Sequence, residues 1–434
     1  MLTALVGGKV IDGNGGEPLE GGTVVIDGAK IVEISEKRKF SSDVKVVDAT
    51  GKTIMPGLID THVHFSPWFQ WLISSQTKPL TYWMSKTALH MRLFLQTGVT
   101  TARDMGGLEV GFAEAQADGL IPGPRTKTAL VIIQATNGLT DNMPGVGGTI
   151  TPQGLTAFLP GLPSPWADGE DGVRAKVREV LRYGADMIKC ANTPVPWTSP
   201  KLRSDRPLFT RPELDAIVDE AHRAGVQVCC HVTGYESTDS TLDAIRAGVD
   251  VIDHGSLLDD ECVSEMARRG TYYCPMFAII DFHRKRNPDL SVRPIAEATW
   301  ELTRTSFRKA VDAGVRICMG TDQAVETGWQ GLELQCMVEN GLAPMEALVV
   351  STKQAAQALG MDGVVGTLEV GKEADLLVLD GDPLQDVRVL QDVGKLLLVM
   401  QAGKPVYGAL SQQLPYEPVE NLSLLSARPT KRSW

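Results

Sequence analysis

The 434-residue chain contains no apolar run long enough to cross a bilayer. Its longest, at residues 375–379 and 395–400, are short and strand-like, far below the ~20 residues that a spanning helix needs. Basic clusters are also missing, apart from an Arg-Pro-Thr-Lys-Arg stretch at 428–432. With a formal net charge of -11, nucleic acid is not an expected partner, and neither is a membrane. The opening residues lack a basic segment followed by a long apolar one, so the expected location is cytoplasmic. The seven cysteines have the spacing of neither a disulfide framework nor a structural zinc site. Cys190, Cys229, Cys230, Cys274 and Cys318 fall in apolar strand-like runs, where a thiol acts as a small buried hydrophobe. Histidine is scarce, with seven in all, which makes its placement informative.

What is present is enough apolar content, 43%, to bury one large core with a small satellite. Residues 4–47 are short β-branched runs cut by glycine, and the same texture returns after Asp362. The two ends are therefore expected to pair into a small β-sandwich built from residues 1–54 and 362–410, with a C-terminal tail at 411–434. Between them, over 55–361, strand-like runs alternate with helical periodicity, the pattern of βα units around a parallel sheet. Eight strands end near His64, Asp104, Gln134, Lys189, His231, His254, Met276 and Asp322. Helices such as 212–224 separate them, and four stop at a glycine: Gly98, Gly225, Gly248 and Gly314, each followed by valine. The expected fold is α/β, a (β/α)8 TIM barrel carrying the terminal β-sandwich.

Strand C-termini of such a barrel converge on one face, so residues distant in sequence become neighbours there. His62 and His64 stand two apart on a strand and project to the same side. Asp60 shares that face one layer deeper, where it can orient a ligand. A single buried strand histidine usually just satisfies a hydrogen bond. Here His62, His64, Lys189, His231, His254 and Asp322 all stand at strand ends, offering nitrogen and oxygen donors suited to zinc or a similar ion. Lys189 is the odd member, because an ammonium beside a divalent cation is repelled. A lysine that has taken up carbon dioxide becomes a carbamate, an anionic ligand able to bridge two metals.

The motifs Pro56-Gly-Leu-Ile-Asp-Thr-His-Val-His, Val99-Thr-Thr-Ala-Arg-Asp, Met187-Ile-Lys, His231-Val-Thr-Gly, Ile252-Asp-His-Gly, Gly320-Thr-Asp and Gly366-Thr-Leu-Glu-Val-Gly-Lys-Glu-Ala-Asp span nearly the whole chain. Together they make it resemble the amidohydrolase superfamily, within it the prolidase and imidazolonepropionase-like branch. That resemblance implies two divalent ions, with zinc expected: His62, His64 and Asp322 on the first, His231 and His254 on the second, and carbamylated Lys189 between them. It also implies a homo-oligomer. Deaminases of the superfamily use a His-x-x-Glu on strand five, whereas position 234 here is glycine, which disfavours deamination. Metal chemistry then suggests attack on a polarised carbonyl by a bridging hydroxide, with Asp322 taking the proton and returning it to the departing nitrogen.

The substrate is expected to be a small molecule. Dipeptidases of this branch carry His-Ala-Tyr-Gly on strand five, where this chain reads His231-Val232-Thr233-Gly234, leaving Tyr235 as a substitute. Relatives also place a histidine in the loop after strand three, but residues 134–172 contain none. Trp68, Trp197, Thr233, Tyr235, Met276, Phe277 and His283 are the candidate substrate contacts, although any one of the apolar members can equally pack a loop onto the barrel. The first expectation is an amidohydrolase acting on an N-acyl amino acid, a dipeptide or an ochratoxin-like aromatic amide. The second is hydrolysis of a urea, carbamate or anilide, as in phenylurea or thiocarbamate herbicides. A scaffold built on a dead barrel is the third, disfavoured because no ligand position is lost.

Overall fold

The computed structural model describes residues 2–37, 39–66, 79–139, 161–195, 205–323 and 328–414. Strands β1 (Leu2–Val10), β2 (Leu19–Asp27), β3 (Lys30–Ser35), β4 (Lys45–Asp48) and β5 (Thr53–Pro56) come from the N-terminal end. A series of parallel strands follows: β6 (Leu58–Val63), β7 (Val99–Asp104), β8 (Arg125–Thr128), β9 (Ile132–Ile133), β10 (Ile188–Ala191), β11 (Val228–Val232), β12 (Val251–His254), β13 (Tyr272–Cys274) and β14 (Arg316–Ile317). Strands β15 (Leu376–Leu379), β16 (Leu396–Gln401) and β17 (Lys404–Tyr407) return to the first group. The order β17-β16-β15-β5-β1-β2-β3, with β4 beside β1, makes one sheet from both ends of the chain. Its join is the antiparallel pairing of Ile54 with Val378.

The middle strands form a barrel-like α/β arrangement. β6, β7 and β8 pair in parallel, as do β9 through β14 in sequence order. Beyond β14 the chain runs along β6: Thr61 N–H donates to the Met319 carbonyl (2.8 Å), Asp322 N–H to that of His62 (2.8 Å), and His64 N–H to that of Gln323 (3.0 Å). The four glycine stops, Gly98, Gly225, Gly248 and Gly314, all have positive φ, so each ends its turn where a Cβ would be strained. The helix expected at 212–224 spans Arg211–Arg223, and the Glu213 carboxylate accepts from Thr210 N–H at its start (2.7 Å).

Strand three departs from expectation. Instead of one run at 129–134 it begins at Arg125 and breaks at Leu130, whose φ is 63°. The Thr128 hydroxyl accepts from Leu130 N–H (3.0 Å) and Val131 N–H closes onto the Ala129 carbonyl (2.7 Å), a local turn that competes with the ladder. The first piece therefore pairs with β7 and the second with β10.

All seven cysteines are buried free thiols. Among the described residues no helix is long and apolar enough to cross a membrane. One apolar cluster fills the barrel region and a second the terminal sheet. Arg125 ties the two together. Its guanidinium, 5% exposed, reaches Asp375 (2.8 Å, 2% exposed) and Glu373, and Asp375 in turn accepts from Ala402 N–H (2.7 Å). Removing one partner of a buried pair strands the other's charge, so Arg125→Met is expected to cost about 3–5 kcal/mol. Urea melts check this, and a loss under about 1 kcal/mol would contradict it.

Candidate metal centre

His62 and His64 lie at the end of β6, both almost fully buried. Asp322, at φ 53°, turns its carboxylate toward them: Oδ1 is 3.5 Å from His62 Nε2 and 3.2 Å from His64 Nε2. One donor atom from each of the three lies within 4.8 Å of the others. Around this trio the imidazoles continue. The His62 and His254 ring centroids are 5.6 Å apart, and those of His254 and His231 are 4.4 Å apart. Four of the seven histidines thus gather at one end of the parallel strands.

The backbone fixes the trio. Asp60, fully buried, accepts from the Thr321 hydroxyl (2.7 Å), from Gln330 Nε2 (3.0 Å) and from His62 N–H (3.1 Å), so one carboxylate spans both ligand-bearing segments. Burial pushes its pKa up to about 6 against those hydrogen bonds. Asp104 does similar work for His64. It accepts from Phe65 N–H (2.7 Å) and Gly106 N–H (3.0 Å), and the Gly106 carbonyl sits 2.8 Å from His64 Nδ1. With Nδ1 as the donor there, the Nε2 lone pair faces Asp322.

Charge at the centre is set by burial against neighbours. Burial drives His254 down to about 3 and His231 well below the ordinary histidine range, so both imidazoles are neutral with a lone pair to offer. Burial opposes the charge on Asp322 as well, but the His62 and His64 rings beside it outweigh that and hold the carboxyl well below its usual range. Partnerless buried polar atoms are rare in folded proteins. Here His231 Nε2 has no hydrogen-bond partner, while His62 Nδ1 and Asp253 Oδ1 lie 3.1 Å apart but off the hydrogen-bond line. Neutral imidazoles and an ionised carboxylate, with an orphaned nitrogen among them, fit a divalent cation.

Lys189, 1% exposed, directs Nζ at the carboxylate of Asp253, which is itself fully buried. The sequence alone did not reveal this counter-ion. Strand alternation sends neighbours 253 and 254 to opposite faces, but the left-handed φ of 69° at His254 brings both to the centre. The only sequence signal was the Asp-His-Gly motif itself.

Other sequence-singled residues fall in varied places. Thr233 is buried, with its hydroxyl 3.1 Å from that of Thr193. The Tyr235 hydroxyl meets Thr299 Oγ1 on helix Arg293–Asp312. Met276, at φ 57°, and Phe277 are both fully buried. The Phe277 ring packs edge-on against Trp300 and Phe307, while Glu333 accepts from the Phe277 and Ala278 N–H groups (3.0 and 2.6 Å) and holds the helix start. His283 is within the field of Asp322, though burial, the larger influence, lowers it to about 4. Arg284 and Lys285 pair with Asp281 and Glu297. Trp68 and Trp197 lie outside the described residues.

Comparisons with known proteins agree with this geometry. Residues 53–406 match the amidohydrolase family model. Ochratoxinase of Aspergillus niger is 30% identical over 426 residues, covering 93% of this chain and 86% of that protein. Its crystal structure superposes with a TM-score of 0.79 at 27% identity, covering 94% and 96% of the two chains. A prolidase solved with N-methylphosphonate-L-proline gives a TM-score of 0.85 at 32% identity, covering 93% and 99%.

Gly320 lets the ligand segment approach. A Cβ there would lie 2.5 Å from Cys274 Sγ and 2.7 Å from the Cβ of His62. Gly320→Ala is expected to cost about 1–3 kcal/mol by overpacking and to lower metal occupancy through His62. Thermal melts and elemental analysis read both, and a variant matching the parent in each would refute the close-approach argument.

Proposed function

Since the chain belongs to the amidohydrolase family, we propose that it cleaves the C–N bond of an N-acyl amino acid, a dipeptide with a bulky apolar residue, or an aromatic amide of the ochratoxin kind. It is a metal-dependent hydrolase acting on carbon–nitrogen bonds. The observation that carries the substrate reading is a donor cluster of amidohydrolase type in a chain with ochratoxinase and a prolidase among its relatives, over more than nine-tenths of its length.

In this reading His62, His64 and Asp322 would hold one zinc ion, His231 and His254 would hold a second, and Lys189 would serve as a ligand once carbamylated. Bound divalent ions supply Lewis acidity and make water a nucleophile near neutral pH. The remaining work belongs to the chain. Asp322 is the most exposed of the trio, its side chain 16% exposed against 2% for His62 and 5% for His64, so substrate approaches on its side. Ionised at rest, its carboxylate takes the proton of the attacking water and returns it to the departing nitrogen, which leaves as an amine. His283, which feels the charge of Asp322, is the side chain that would contact the substrate. The reading extends to a closed (β/α)8 barrel, a terminal β-sandwich, a homo-oligomeric assembly and a cytoplasmic location.

A turnover screen of metal-replete protein tests the substrate class. Release of amine from N-acyl amino acids, dipeptides or aromatic amides is expected, and activity confined to aryl ureas, carbamates or anilides would overturn the reading. Separately, Lys189→Ala is expected to lose most bound metal and activity, with partial recovery in short carboxylic acids. Undiminished activity in that variant would remove the carbamate.

A further inference from the structure

Asp253 has no part in the chemistry above, yet it is the most enclosed charge at the centre. It is fully buried on β12, opposite His231 of β11 in the ladder. Its two oxygens face two different elements. Oδ2 takes Lys189 Nζ of β10, and Oδ1 lies 3.1 Å from His62 Nδ1 of β6. The second contact is off-line as a hydrogen bond, and neither of its atoms has any other hydrogen-bond partner. A fully buried acceptor and a fully buried ring nitrogen face each other at hydrogen-bond distance.

We propose that Asp253 is a positioning residue that sets the geometry of both halves of the metal centre at once. Its Oδ1 accepts the Nδ1–H of His62, which leaves the lone pair on Nε2, the nitrogen that faces Asp322. Its Oδ2 holds the nitrogen of Lys189. A carbamate nitrogen keeps one hydrogen, so this contact persists after carbon dioxide adds: the ammonium first gives up one proton to solvent, the freed lone pair forms the C–N bond, a second N–H proton leaves to solvent, and the remaining N–H still donates to Oδ2. One carboxylate thereby couples the strand-one donor to the strand-four donor.

Burying this anion requires compensation, and the layer beneath provides it. Arg103 is fully buried, its Nε–H donates to the Thr61 carbonyl next to His62 (2.7 Å), and its charge is felt at Asp253. The Thr61 hydroxyl continues the layer with a bond to the Met319 carbonyl (2.8 Å).

The inference rests on the metal-centre reading, and the test separates the two. Parent and Asp253→Asn are stripped, reloaded with zinc, and compared by elemental analysis and by competition with a chromophoric chelator; zinc-loaded parent labelled with 15N-histidine is examined by NMR. We expect the parent to hold zinc, Asp253→Asn to bind it about 10- to 100-fold more weakly, and the circular dichroism spectrum of the stripped variant to match the parent's. The His62 proton is expected on Nδ1. Equal zinc affinity in a folded variant, or a proton on Nε2 in the loaded parent, overturns the role of Asp253 and leaves the metal centre standing. If the variant fails to fold, the proton position in the parent decides. A parent that holds no zinc at all overturns the metal-centre reading and this inference with it.

Discussion

The centre depends on a backbone contact between β6 and the segment that follows β14. Asp322 N–H donates to the His62 carbonyl and Thr321 is held by Asp60, so two pieces of chain far apart in sequence present their donors a few ångströms apart. Gly320 permits the approach, and the left-handed turn at Asp322 aims its carboxylate back at the imidazoles. A displacement of either segment by an ångström would separate the trio, because donor distances near 3.5 Å leave little slack.

Holding those donors together is electrostatically costly. Each buried ion forfeits several kcal/mol of hydration unless neighbours replace the water. The protein answers with pairs and backbone donors: Lys189 against Asp253, Asp104 against Phe65 and Gly106 N–H groups, Asp60 against Thr321 and Gln330. At the centre itself His231 Nε2 is left without a hydrogen-bond partner. Backbone strain is present at the centre too, with positive φ at His254 and Asp322.

The sequence was legible where periodicity and chemistry reinforce each other. Alternating strand and helix patterns, with a glycine stop after four of the helices, located the parallel strands, and polar residues at their ends marked the convergence of His62, His64 and Asp322. It was not legible where a single dihedral overrides a pattern. Leu130 splits strand three because Thr128 captures its N–H, and no spacing of apolar residues announces that. Asp253 stayed hidden because strand alternation faces it away from its neighbour until His254 turns left-handed. Phe277 reads equally as pocket wall or core, and only the rings of Trp300 and Phe307 show that its surface is spent on packing.

The most direct examination of the account is anomalous X-ray scattering from zinc-loaded crystals, collected on both sides of the metal's absorption edge. The account predicts two peaks, one among His62, His64 and Asp322 and one beside His231 and His254, with extra density joined to Lys189 Nζ between them. Crystals of active protein with no peak among these six residues would contradict it.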